Sequence, residues 1–109
     1  TVKGTVAEDY LRSLGQVPLA MATAGEAIER LARGDVEAVV FNAPTLRYWA
    51  KQRLSGDLEV VGPVFRPELY GIAVSEGSPL REQINAVMLA IYEDGTYEDI
   101  HSRWFAATN

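Results

Sequence analysis

The residues best placed to do chemistry are Gly4, Thr5 and Val6, in the run Val2-Lys3-Gly4-Thr5-Val6-Ala7-Glu8. A short β-like segment runs into a glycine turn and then straight into a helical pattern. Glycine permits the tight turn, threonine is a good N-cap, and Thr5-x-x-Glu8 has the spacing of a capping box. The first N–H groups of a helix find no carbonyl within it, and with the helix dipole they favour a carboxylate, phosphate or sulfate by about 0.3–1 kcal/mol at an exposed site. The run is therefore either a well-capped helix start or an anion seat, and a capping box alone does not separate the two. Asn42 stands in a comparable place, between the β-prone run Val36–Phe41 and Ala43-Pro44. It caps the helix that follows, and its amide can also accept from an ammonium or donate to an oxygen.

Catalytic chemistry finds little to stand on. His101 is the only histidine and lies beside Arg103 and Trp104, which reads as a surface or partly packed side chain rather than a general base. The pairs Glu8-Asp9, Glu93-Asp94 and Glu98-Asp99 are sequence neighbours, which point to different faces of a helix, and read as solvated faces. There is no Gly-x-Ser-x-Gly elbow, no phosphate-binding glycine loop and no metal-ligand spacing, so no catalytic residue, metal or cofactor is assigned. Trp49, Trp104, Tyr48 and Tyr97 are spaced as core and boundary aromatics.

The elements that must position Gly4–Val6 and Asn42 follow from periodicity. Ala7, Tyr10, Leu11 and Leu14 fall at helical spacing and end at Gly15. Val17–Ala22 reads as a strand, after which Thr23 caps a helix with an apolar face of Ala27, Ile28 and Leu31, closed by Gly34. Val36–Phe41 reads as a buried strand of a parallel sheet. The helix begun at Asn42 puts Leu46, Trp49, Ala50 and Arg53 on one side and ends at Gly56-Asp57. Leu58–Val61 is a further short strand, Gly62–Pro67 a breaker-rich connector, and Tyr70–Val74 another strand. Ser78-Pro79 opens a helix to about Glu93, with Leu80, Ile84, Val87, Met88 and Ile91 as a stripe that buries one face. After Asp94-Gly95, Thr96 to about Phe105 forms the last helix, with Tyr97, Ile100 and Trp104 inside. Alternating strands and helices point to an α/β fold with a mainly parallel sheet, whose ligands sit at the carboxyl ends of strands.

Composition bounds the rest. With 109 residues and 48% hydrophobic content, one domain with a core is expected. A formal charge of −5 without a Lys/Arg cluster argues against nucleic acid and anionic membrane as partners. There are no cysteines, hence no disulfide framework and no thiol chemistry. Apolar runs fall far short of the roughly 20 residues of a membrane span. The start at Thr1, already inside a strand-like run, leads us to expect a mature product or an excised piece.

Three stretches together resemble one family. They are Val2–Thr5 leading into Ala7–Leu11; Gly34–Pro44; and Leu69–Val74 followed by Asp94–Tyr97 and Arg103–Phe105. The chain resembles the second half of a bacterial periplasmic solute-binding protein of the amino-acid-binding family, whose fold is shared by the ligand-binding core of ionotropic glutamate receptors. The resemblance implies a three-layer α/β clamshell. Residues 1–64 would supply lobe two, and residues 65–109 the hinge return strand and the C-terminal helices that pack on a missing lobe one. It also implies non-enzymatic binding of a small amino-acid-like solute, a periplasmic or other extracytoplasmic location, and a membrane permease of an ABC-type importer as partner. A bacterial glutamate-receptor-like channel, with its pore as partner, is the alternative, and an enzyme resembling cyclohexadienyl dehydratase a third.

The resemblance implies that the ligand α-carboxylate is held by a lobe-one arginine and by the Gly-Thr/Ser-type helix start, which here falls on Thr5 and Val6 after Gly4. It implies in turn that an acid at the position of Asn42 holds the α-ammonium. This chain departs from that pattern twice, because Asn42 is neutral and Val6 lacks the hydroxyl many relatives carry. Either the ligand is not a standard α-amino acid or lobe one supplies the acid. Without lobe one, self-association through the Gly62–Pro67 connector is also expected.

Overall fold

The computed structural model describes residues 1–52 and 58–105. They form helices α1 (Val6–Ser13), α2 (Ala24–Ala32), α3 (Ala43–Gln52), α4 (Leu80–Glu93) and α5 (Thr96–Phe105). All five lie where the helical period places them. Two compact units divide between Gly62 and Pro63. Arg53 and the Gly56-Asp57 helix stop lie outside the described residues.

In the first unit, α1 and α2 end by the same device. Gly15 and Gly34 take φ of 77° and 78°, and the next N–H turns back to a helix carbonyl, Gln16 to Leu11 at 3.0 Å and Asp35 to Arg30 at 2.9 Å. Glycine adopts that left-handed conformation at the least conformational cost. Among the described residues, the buried hydrophobic side chains are Met21, Ala27 and Ile28, the last two on the predicted face of α2. Thr1, Leu11, Met21, Ala27, Val36 and Val40 are among the residues around a mostly apolar cavity of about 230 Å3.

Three non-helical segments meet around Thr1. Lys3 N–H donates to Met21 O and Met21 N–H donates to Thr1 O, both at 2.8 Å, which makes a parallel bridge between Val2 and Met21. The Thr1 N–H donates to Leu19 O at 3.1 Å, and its hydroxyl to Val40 O at 2.7 Å. The direction of pairing is the expected one, but its extent is not. Among the described residues, Val17–Ala22, Val36–Phe41, Leu58–Val61 and Tyr70–Val74 form no strand, and Val2–Met21 is the one bridge. β-propensity describes a side chain's fit to a pleated surface, whereas a ladder needs neighbouring backbone in register. Val36–Phe41 is accordingly part exposed and not a buried central strand.

In the second unit, α4 and α5 pack on each other across the Asp94-Gly95 turn. Gly95 takes φ 83° and the Asp94 carboxylate accepts from Thr96 N–H at 2.8 Å. Donors of Thr96, side chain first and backbone second, hold the Asp94 carboxyl below its ordinary value. Rings continue the contact. Tyr92 stacks on Tyr97 with centroids 4.2 Å apart, Tyr97 lies 6.2 Å from His101, and His101 lies 5.3 Å from Phe105. His101 is thus a partly packed ring, as expected. The α4 stripe is less buried than its spacing predicts. Ile84, Met88 and Ile91 are half-buried while Leu80 and Val87 are exposed, because among the described residues the cover comes from α5 and Tyr70–Val74. Tyr70, Ile72, Ile84 and Met88 are among the residues around a groove of about 190 Å3.

With so small a buried set, its members carry disproportionate weight. Ile28, at 4% exposure, should cost about 2–4 kcal/mol of stability when cut to alanine. Val17, at 90% exposure, should cost less than about 0.5 kcal/mol. Urea denaturation of the two variants checks the contrast.

Candidate functional site

Each residue singled out in the sequence sits at a helix start. Thr5 is the N-cap of α1, in the extended region, and its side chain accepts from Glu8 N–H, at 3.5 Å. Its own hydroxyl proton goes to Val2 O at 2.7 Å. The Thr5 hydroxyl is therefore committed as a donor within the chain, and what the seat presents outward is backbone. The N–H groups of Val6 and Ala7, in the first turn, have no carbonyl of α1 to receive them.

Glu8 is not on a solvated face. Its carboxylate curls back to accept from Gly4 N–H at 2.7 Å and takes Arg12 Nε and Nη2 on its other oxygen at 3.1 and 2.7 Å. The residue is only 8% exposed. The capping box draws the side chain inward and the arginine one turn on closes over it, so neighbouring acids in sequence end in different surroundings. The Gly4 N–H above all, and then the Arg12 guanidinium, hold the Glu8 carboxyl below its ordinary value. Gly4, counted among the residues of the seat, has its N–H already taken by this internal anion.

Asn42 caps α3. Its Oδ1 accepts from both the N–H and the hydroxyl of Thr45, each at 3.2 Å, and its carbonyl receives Leu46 N–H at 3.0 Å. A third start escaped the sequence reading in part. Thr23 and Glu26 form a reciprocal capping box, with Glu26 N–H to Thr23 Oγ1 and Ala22 N–H to Glu26 Oε2, both at 3.2 Å. The Thr-x-x-Glu spacing that flags α1 was there to be read.

The parallel bridge brings two of these starts together. Thr5 comes three residues after Val2 and Thr23 two after Met21, so α1 and α2 begin at the same, carboxyl edge. Asn42 comes two residues after Val40, whose carbonyl takes the Thr1 hydroxyl. Such an edge receives small ligands in α/β proteins. Among the described residues, no group of three acids or histidines could hold a metal, and no helix is long and apolar enough to cross a membrane.

The Glu8 cluster makes an acid-sensitive lock. A carboxyl lowered on folding adds stability that is present above the unfolded value, here 4.5, and is lost as pH falls through the folded value. Glu8→Gln should therefore flatten the fall in melting temperature below pH 4.5 relative to the parent chain; an unchanged acid limb would mean the cluster does not carry it.

No family model matches this chain. Glutamate (NMDA) receptor subunit 1 of Drosophila ananassae is 31% identical over 116 aligned residues, spanning 95% of this chain and 11% of the receptor. The subunit of Drosophila persimilis is 30% identical with the same coverage. Among solved structures, the GluR0 ligand-binding core from Nostoc punctiforme, in complex with (L)-glutamate, is similar at TM-score 0.75 and 36% identity. That match covers 98% of this chain and 50% of that one. The chain thus spans about a tenth of the receptor subunits and half of the binding core. These relatives are named as receptor subunits and as a ligand-binding core. The resemblance carried by the three stretches is found again in sequence and in three dimensions: over nearly all its length, this chain is similar to half of a glutamate-receptor-type ligand-binding core and has the α/β, periplasmic-binding-like fold of such cores.

Proposed function

We propose that the chain is one lobe of a clamshell, with its return helices, that binds a small amino-acid-like solute outside the cytoplasm. The observation that carries this is its likeness to a ligand-binding core in complex with (L)-glutamate. The shared edge of the α1 and α2 starts supports it. In this reading residues 1–64 form lobe two around a mainly parallel sheet, and the segment from residue 65 onward returns through the hinge to pack on lobe one. The exposed apolar side chains Leu69, Tyr70, Ile72, Leu80 and Val87 are what such packing would cover.

Gly4, Thr5 and Val6 receive the ligand carboxylate, chiefly through the Val6 N–H, since Glu8 holds the Gly4 N–H and Val2 the Thr5 hydroxyl. Asn42 meets the other end of the ligand. A carboxylate there would make a charge-assisted bond to an ammonium of roughly 1.5–3 kcal/mol, and a neutral amide makes a weaker one. Lobe one or a less cationic ligand makes up the difference. Of the two membrane partners, an importer permease fits the general resemblance, and a channel pore is favoured by relatives that are named receptors.

A thermal-shift screen of the complete protein against amino acids, carboxylates and polyamines tests the proposal. A true ligand at 100 times its dissociation constant should stabilise by about 2.7 kcal/mol, with L-glutamate the first probe; no response across the panel would overturn the binding reading. Asn42→Asp keeps a good N-cap while adding charge, so it should shift preference toward α-amino acids without unfolding α3. Unchanged preference across the same panel would remove Asn42 from the site.

A further inference from the structure

We infer that the contact of Trp49 with Gly25 is what positions Asn42. α3 has no buried residue of its own, yet it must hold Asn42 at a fixed place. Among the described residues, the helix that α3 packs against is α2. A Cβ built on Gly25 would lie 3.3 Å from Trp49 Cζ2 and 3.4 Å from Cη2, with Thr23 Oγ1 at 3.9 Å. The indole therefore lies against the first turn of α2, at a distance that a bare glycine accommodates and a side chain would disturb.

Gly25 is the second residue of α2, and its φ is not among the positive values of the chain, so no left-handed turn calls for glycine there. Glycine in such a position marks close approach by a neighbour. Trp49 lies seven residues, about two helical turns, beyond Asn42 on the same helix, so a shift of the indole on α2 tilts α3 and moves Asn42 relative to the α1 and α2 starts. Trp49 is thus a positioning residue, and Gly25 is its seat. Its effect on ligand binding rests on the function proposed above, whereas its effect on Asn42 does not.

The test is made at two levels. In the 109-residue chain, 15N spectra of Gly25→Ala and Trp49→Leu should shift the Asn42 side-chain amide and the Thr45 and Leu46 amides, with Trp49→Phe closer to the parent. Unmoved Asn42 signals in folded variants would overturn the inference whatever the protein binds. In the complete protein, Gly25→Ala should weaken L-glutamate roughly two- to tenfold, the worth of one neutral hydrogen bond. Shifted Asn42 signals with unchanged glutamate affinity would overturn the link to binding. If the parent binds no probe, the binding reading falls and the spectra alone decide the positioning role.

Discussion

Two hydrogen bonds organise the first unit: Met21 accepts from Lys3 and donates to Thr1, bracketing Val2. A parallel pair has no tight turn to set its register, so a helix must be traversed before the second segment can return beside the first. That traverse is α1. The bracket sets both helix starts on one edge and sends α1 back from it, and every statement about a shared ligand edge depends on it. Were Met21 to slip by one residue, its buried side chain would leave the core and Thr23 would leave the edge.

Helix starts and stops were legible because they are local. Thr5, Thr23 and Asn42 each satisfy donors within three residues, and Gly15, Gly34 and Gly95 each turn a chain end through a conformation that other residues resist. The five helices could be read from such marks together with apolar spacing. The strands could not. Val36–Phe41 has the composition of a sheet centre, but composition says nothing about whether the neighbouring backbone is in register, and one bridge is all that Val2 and Met21 establish.

The candidate positions were legible as helix starts and less so as chemistry. Gly4, Thr5, Val6 and Asn42 all fall at helix starts, as read from the sequence, yet which of their polar atoms are spoken for is a matter of three dimensions. Glu8 shows the difference well. Its spacing announced a cap, while its place beside Asp9 looked like a solvated face; only the Arg12 fork and the Gly4 N–H decide between the two. The Gly25–Trp49 contact joins residues on different helices and leaves no periodic trace, so no reading of spacing would find it.

The way Thr1 is tied in has a kinetic consequence. Its bonds to Leu19 and Val40 span 18 and 39 residues, whereas α4 and α5 meet across a single tight turn. Closing a longer loop costs more chain entropy before any contact repays it. Loop closure alone therefore favours the helical hairpin of the second unit over the Thr1 tethers. Of those tethers, the Thr1 hydroxyl bond to Val40 closes the longest stretch of chain and carries the largest closure cost.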